Sequence, residues 1–140
     1  MRYAILILAV FLTGAAAQGD PATLAAVNAA RAENGRPALV YDARLEAAAR
    51  AHGQDMARNG FFSHTGSDGS DIGDRLRRAG YAFCFGAENL AAGQRDLTEV
   101  MQSWMTSRGH RKNILHRKAR AVGLARVTGD RWVMVLAAPC

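Results

Sequence analysis

Lysine, proline and cysteine are scarce in this 140-residue chain: two of its 18 basic residues are lysines, Lys112 and Lys118, and it has three prolines and two cysteines. No internal repeat, low-complexity tract or interdomain linker is present, which excludes solenoids and multidomain arrays. HExxH, GxSxG, the P-loop glycine-lysine pattern and GxGxxG are all missing, so zincin, α/β-hydrolase, P-loop and dinucleotide-binding readings have no motif behind them. His110 and His116 have a zinc-finger-like gap, but no CxxC accompanies them. Asp68, Asp71 and Asp74 recur every third residue, whereas a calcium loop needs alternate acids; they are expected as loop and helix-cap residues.

What is present describes one ordinary domain. Hydrophobic residues make up 49% of positions and charged residues 21%, with a formal net charge of +6, so the chain is too apolar to be mostly disordered and too short for two full cores. Arg2, the apolar run from Ala4 to Leu12 and the small residues Ala15-Ala16-Ala17 read as a secretory signal cleaved after Ala17, leaving residues 18–140 as a single domain. The apolar run is too short for a permanent membrane span, and no transmembrane helix is expected in the mature chain. The expected location is secreted or periplasmic. In such an oxidising compartment Cys84 and Cys140 have one intramolecular pairing, a disulfide. The arginines are scattered, and the densest basic group, Arg108, Arg111, Lys112, Arg117, Lys118 and Arg120, comes with no nucleic-acid motif; it is read as solvated surface, and no nucleic acid is expected.

Asp20-Pro21 is a cap and first helical position, with Leu24, Val27 and Arg31 on one face and Gly35 as a stop. Asp42 caps a second helix carrying Leu45, Ala48, Ala49, His52 and Met56, ended by Gly60. Ser70 or Asp71 starts a short helix through Ile72, Leu76 and Ala79. Tyr81 to Phe85 is expected as a buried strand and Gly86 to Gly93 as turn chemistry. Asp96 and Glu99 resemble a capping box for a helix that carries Val100 and Trp104 and closes at Gly109. Ala121–Val127 and Trp132–Ala137 form a hairpin about Gly129. Amphipathic helices with a hairpin predict an α+β domain, an antiparallel sheet covered by helices. Trp104 and Trp132 are expected as core anchors, His52 as a packed core histidine, His116 as solvent-facing, and Asn89 and Asn113 as partners for loop backbone groups.

Three segments place polar side chains at element edges: Phe62-Ser63-His64-Thr65-Gly66, Gly86-Ala87-Glu88-Asn89-Leu90-Ala91, and the stretch from Ser103 through Trp104, His110 and Asn113 to Leu115. In this order, and followed by a terminal strand with Trp132, they resemble the bacterial branch of the CAP superfamily, the SCP, cysteine-rich secretory, antigen 5 and pathogenesis-related-1 family. The likeness runs from about Leu24 to Leu136. It implies an α-β-α sandwich with a small antiparallel sheet and a cleft where His64, His110 and Glu88 converge. The family's second acid stands three residues after the helix tryptophan, where this chain has Ser107. Glu99 lies about two turns away on the same helix and is a poor substitute.

Two neutral imidazoles, His64 and His110, can bind a divalent ion such as zinc, with Glu88 as third ligand or orienter. The same groups can transfer protons, or Glu88 can simply pin loops to the sheet through hydrogen bonds. The resemblance favours an exported, non-enzymatic binding domain, expected as a monomer, for a small molecule, lipid, metal or cell-envelope partner. A peptide or envelope hydrolase using His64, Glu88 and His110, with or without zinc, is the runner-up, and a structural envelope protein the third reading.

Overall fold

The computed structural model describes residues 20–140; the expected leader and its cleavage point lie outside them. The chain forms α1 (Pro21–Glu33), β1 (Val40–Tyr41), α2 (Ala43–Asn59), α3 (Ile72–Arg78), β2 (Phe85–Ala92), α4 (Leu97–Thr106), α5 (Arg108–Ile114), β3 (Ala121–Val127) and β4 (Arg131–Ala138). Aspartates start four of the five helices among the described residues by accepting from otherwise orphaned N–H groups: Asp20 from Ala22, Asp42 from Arg44, Asp71 from Asp74 and Asp96 from Glu99. The full reciprocal box is at Asp71 and Asp74; at α4 only half forms, because the Glu99 carboxylate turns to the Arg95 N–H. Gly60, with φ 66°, closes α2 in the left-handed region that glycine enters at little cost.

The sheet has the order β1-β3-β4-β2, with β3 and β2 both antiparallel to β4. Successive side chains of β4 alternate between two cores, as the period of two in a strand requires. Trp132, Met134 and Leu136 join Val27, Val100, Trp104 and Ile114 under α1, α4 and α5; Val133, Val135 and Ala137 join Leu45, Ala49, Met56 and Leu76 under α2 and α3. This is the expected helix-sheet-helix sandwich. Trp104 is wholly buried, and its indole N–H donates to the Leu90 carbonyl at 3.0 Å. Gly123 sets how closely α2 approaches the sheet, since a Cβ there would stand 2.2 Å from the Glu46 backbone nitrogen.

Four details differ from the sequence reading. The strand is Phe85–Ala92, so the segment expected as turn is β2, whereas Tyr81 to Cys84 is the connection leading into it. The small residues there reflect close packing rather than bending, for the Leu76 side chain would be 2.9 Å from a Cβ on Gly86. The sheet is mixed, because the two-residue edge strand β1 pairs parallel with β3. The helix begun at Asp96 breaks at Ser107, whose ψ of 121° is extended, and Gly109 lies inside the new helix α5. His116 is half-buried and stacks on Phe85 with ring centroids 4.1 Å apart, rather than facing solvent freely. Cys84 and Cys140 are bridged, tying the chain end to the entrance of β2.

Candidate functional site

The site forms along the free edge of β2. Because the strand alternates, Glu88 projects to the α2–α3 side and Asn89 to the α5 side, so one dipeptide serves both layers. Glu88 is 6% exposed and each of its carboxylate oxygens is engaged. Oε1 accepts from His64 Nδ1 at 2.7 Å, and Oε2 accepts from Arg75 Nη2 at 2.8 Å. Arg75 is also buried, and its guanidinium donates to the Ser70 and His64 carbonyls, both at 2.9 Å. One arginine thereby neutralises the buried carboxylate and fixes the backbone of the loop that carries His64. Such pairing is what a buried charge requires.

His52 completes this side from α2. The residue is 1% exposed, and Nε2 is 2.8 Å from the Ser63 carbonyl and 3.8 Å from Glu88 Oε1. A carbonyl only accepts, so Nε2 carries the proton and Nδ1 is the bare nitrogen. Burial is the main cause that holds the His52 pKa below its ordinary value, with the nearby Glu88 charge opposing and Arg75 reinforcing the shift. The side chain is thus the packed core histidine expected, but one built into the Glu88 network. His64 is different: its side chain is 63% exposed, with Nδ1 turned to Glu88 and no hydrogen bond to Nε2 among the described residues.

The α5 side is held by amides. Asn89 donates to the His110 carbonyl at 3.1 Å, and Asn113 donates to Asn89 Oδ1 at 2.9 Å and to the Glu88 carbonyl at 3.3 Å. Both asparagines donate to backbone carbonyls as expected, but those of α5 and β2 rather than of a loop. The His110 ring is half-buried, its Nδ1 has no hydrogen-bond partner, and its pKa is lowered first by burial and then by the charge of His64. The sequence-selected residues His64, Glu88 and His110 thus gather round β2. Glu99 does not join them: it lies at the start of α4 and pairs with Arg95. Ser107, where an acid was expected, is the residue at which α4 gives way to α5.

Arg75 is the member that sequence reasoning missed. A signal existed, since Arg75 lies on the same face of α3 as Ile72, Leu76 and Ala79, where a charged residue must find a buried partner. Behind the network a depression of about 430 Å³ opens between α2, α3 and the 66–70 loop, with His52 and Arg75 in its wall.

Glu88 is placed to orient His64 rather than to act as a third ligand itself. Both Glu88 oxygens are occupied, Ser107 supplies no carboxylate, and among the described residues no group of three or more His, Cys, Asp or Glu is placed to hold an ion.

The fold is a helix-sheet-helix domain in which Glu88, at the free edge of the sheet, bonds the exposed His64 and the buried Arg75. The CAP family, described as the cysteine-rich secretory protein family, matches residues 24–137, and the chain belongs to that family. It is 36% identical over 106 residues to YkwD of Bacillus subtilis, covering 75% of this chain and 41% of that protein. An extracellular protein with an SCP domain from Bacillus anthracis superposes with a TM-score of 0.79 at 30% identity, covering 83% of this chain and 39% of that one. An outer surface protein from Borrelia burgdorferi shares the fold, with a TM-score of 0.78 at 21% identity and coverage of 84% and 90%. The chain thus spans less than half the length of its Bacillus relatives. Among the described residues no helix is long and apolar enough to cross a membrane.

Proposed function

We propose that this chain is an exported binding domain whose His64–Glu88–His110 cleft takes a small ligand or an extracellular partner. One observation carries the reading: among the described residues the carboxylate beside His64, that of Glu88, is buried and spent, one oxygen on Arg75 and the other on His64. Glu88 is therefore an orienting group, and the side chain left to meet a ligand is the exposed His64 imidazole, with His110 across the strand edge. An exported relative and an outer surface protein among the structural neighbours, the apolar leader and the Cys84–Cys140 bridge support the location.

The experiment is native purification of the chain followed by mass spectrometry of what remains bound. A molecule retained in near-stoichiometric amount should be lost from a His64→Ala/His110→Ala variant whose circular dichroism is unchanged. The competing hydrolase reading draws on the same 2.7 Å contact, because a carboxylate that fixes an imidazole tautomer also suits a general base. Turnover of peptide or cell-envelope substrates by the intact chain, abolished in that double variant, would overturn the binding reading in its favour.

A further inference from the structure

Charge in this molecule is divided unevenly. Arg44, Arg50, Arg75, Arg77, Arg78, Arg95 and Arg126 all have a carboxylate partner. None of the ion pairs among the described residues involves Arg36, Arg108, Arg111, Lys112, Arg117 or Lys118, which surround α5 and the turn after it; Arg58, Arg120 and Arg131 lack one too, but only around α5 do several such cations line adjoining hollows. Their side chains bond to neutral groups where they bond at all: Arg36 donates to the Leu115 carbonyl and Arg111 to Asn34 Oδ1. Glu33, exposed in the last turn of α1, makes no ion pair either.

Beneath this face lies another cation. Arg31 is fully buried, and its guanidinium donates to the Pro37, Ile114 and His116 carbonyls, while Nη2 has no partner. Burial, with repulsion from Arg36 and Arg120, lowers its pKa. The fold therefore concentrates like charge here without a compensating acid, an arrangement that opposes folding and favours an external anion.

The surface is also shaped. One hollow of about 400 Å³ lies among Thr106, Arg108, Arg111 and Lys112, and a second of about 430 Å³ among Arg36, Lys112, Arg117 and Lys118. Lys112 and Leu115 belong to both, so the two hollows adjoin. Adjacent cation-lined hollows suit consecutive anionic groups on one chain better than a single ion. Leu115 and His116 are half-buried, and no large apolar side chain of these hollows is exposed enough to insert into a bilayer.

We infer that the α5 face is a binding surface for a linear polyanion carrying closely spaced phosphate groups, distinct from the His64–His110 cleft. Its test uses long-chain inorganic polyphosphate, with orthophosphate and vesicles of phosphatidylglycerol and phosphatidylcholine as separate arms. Polyphosphate should bind with steep salt dependence: engaging about four phosphates implies roughly a fifty-fold loss of affinity between about 50 and about 200 mM salt. Orthophosphate should bind at least about a hundred-fold more weakly, and the vesicles should not retain the protein. Lys112→Glu with Arg117→Glu, both exposed and free of side-chain hydrogen bonds among the described residues, should reduce polyphosphate affinity at least about ten-fold. Arg95→Ala with Arg126→Ala, which removes two paired arginines elsewhere, should change it less than about two-fold. No polyphosphate binding at low salt, vesicle binding without polyphosphate binding, or equal loss in the two double variants overturns the proposal.

Discussion

The two sides of β2 solve the same problem with different chemistry. Toward α2 and α3, Glu88 is buried in charge: Arg75 on one oxygen, His64 on the other, His52 just beyond. Toward α5, Asn89 and Asn113 hold the strand edge with neutral amides, and charge is pushed to an exterior face that has no acid partner. A charge placed inside demands near-complete compensation, whereas carboxamides fasten backbone to backbone without it. The charged side therefore fixes the His64 loop against the strand stringently, while the amide side leaves α5 free to carry unbalanced charge outward.

The largest break in that contrast comes from removing one partner of the buried pair. Arg75→Met or Glu88→Gln should lower unfolding free energy in urea by about 3–5 kcal/mol, because each leaves the other group buried without its counterion. On the amide side, Asn113→Ala should lose only about 1–2 kcal/mol by the same measurement, the scale of a neutral hydrogen-bonding group removed from a half-buried site.

Acid should sharpen the difference. His52 has a folded pKa below its ordinary 6.5, chiefly through burial, so the unfolded chain takes up this proton first as pH falls. Its contribution to stability is complete above the unfolded value and declines as pH drops from about 6.5 through the folded value. His110 shifts in the same direction. Urea midpoints should thus be level above neutrality and fall below it, and His52→Gln should flatten that fall. The smallest effect belongs to a surface pair: Arg95→Ala should leave the urea midpoint unchanged within error, since its partner Glu99 stands at an exposed helix start.

Local chemistry made much of this structure legible. Asp20, Asp42 and Asp96 announced helix starts because a cap acts within a few residues, and the β3–β4 hairpin followed from two apolar runs about Gly129. The strand that carries Glu88 was hidden for the opposite reason. Its glycine and alanines have the composition of a turn, and only packing by Leu76 and pairing with β4 make them a strand. His64, Glu88 and His110 were identified by resemblance to a family motif, but nothing local to Glu88 shows that its counterion is an arginine in α3. Nor does spacing along α4 and α5 reveal the break at Ser107, which turns one helix into two.

The account rests on Glu88 being a spent carboxylate, held by Arg75 rather than offered to a ligand. A double-mutant cycle of Arg75→Met and Glu88→Gln, followed by urea unfolding, measures this directly. The predicted result is strong coupling: the double variant should be more stable than the sum of the single losses implies by at least about 2 kcal/mol, since it leaves no unpaired buried charge. Losses that add to within about 0.5 kcal/mol would contradict it, showing that Glu88 and Arg75 act independently and that the carboxylate is free for other chemistry.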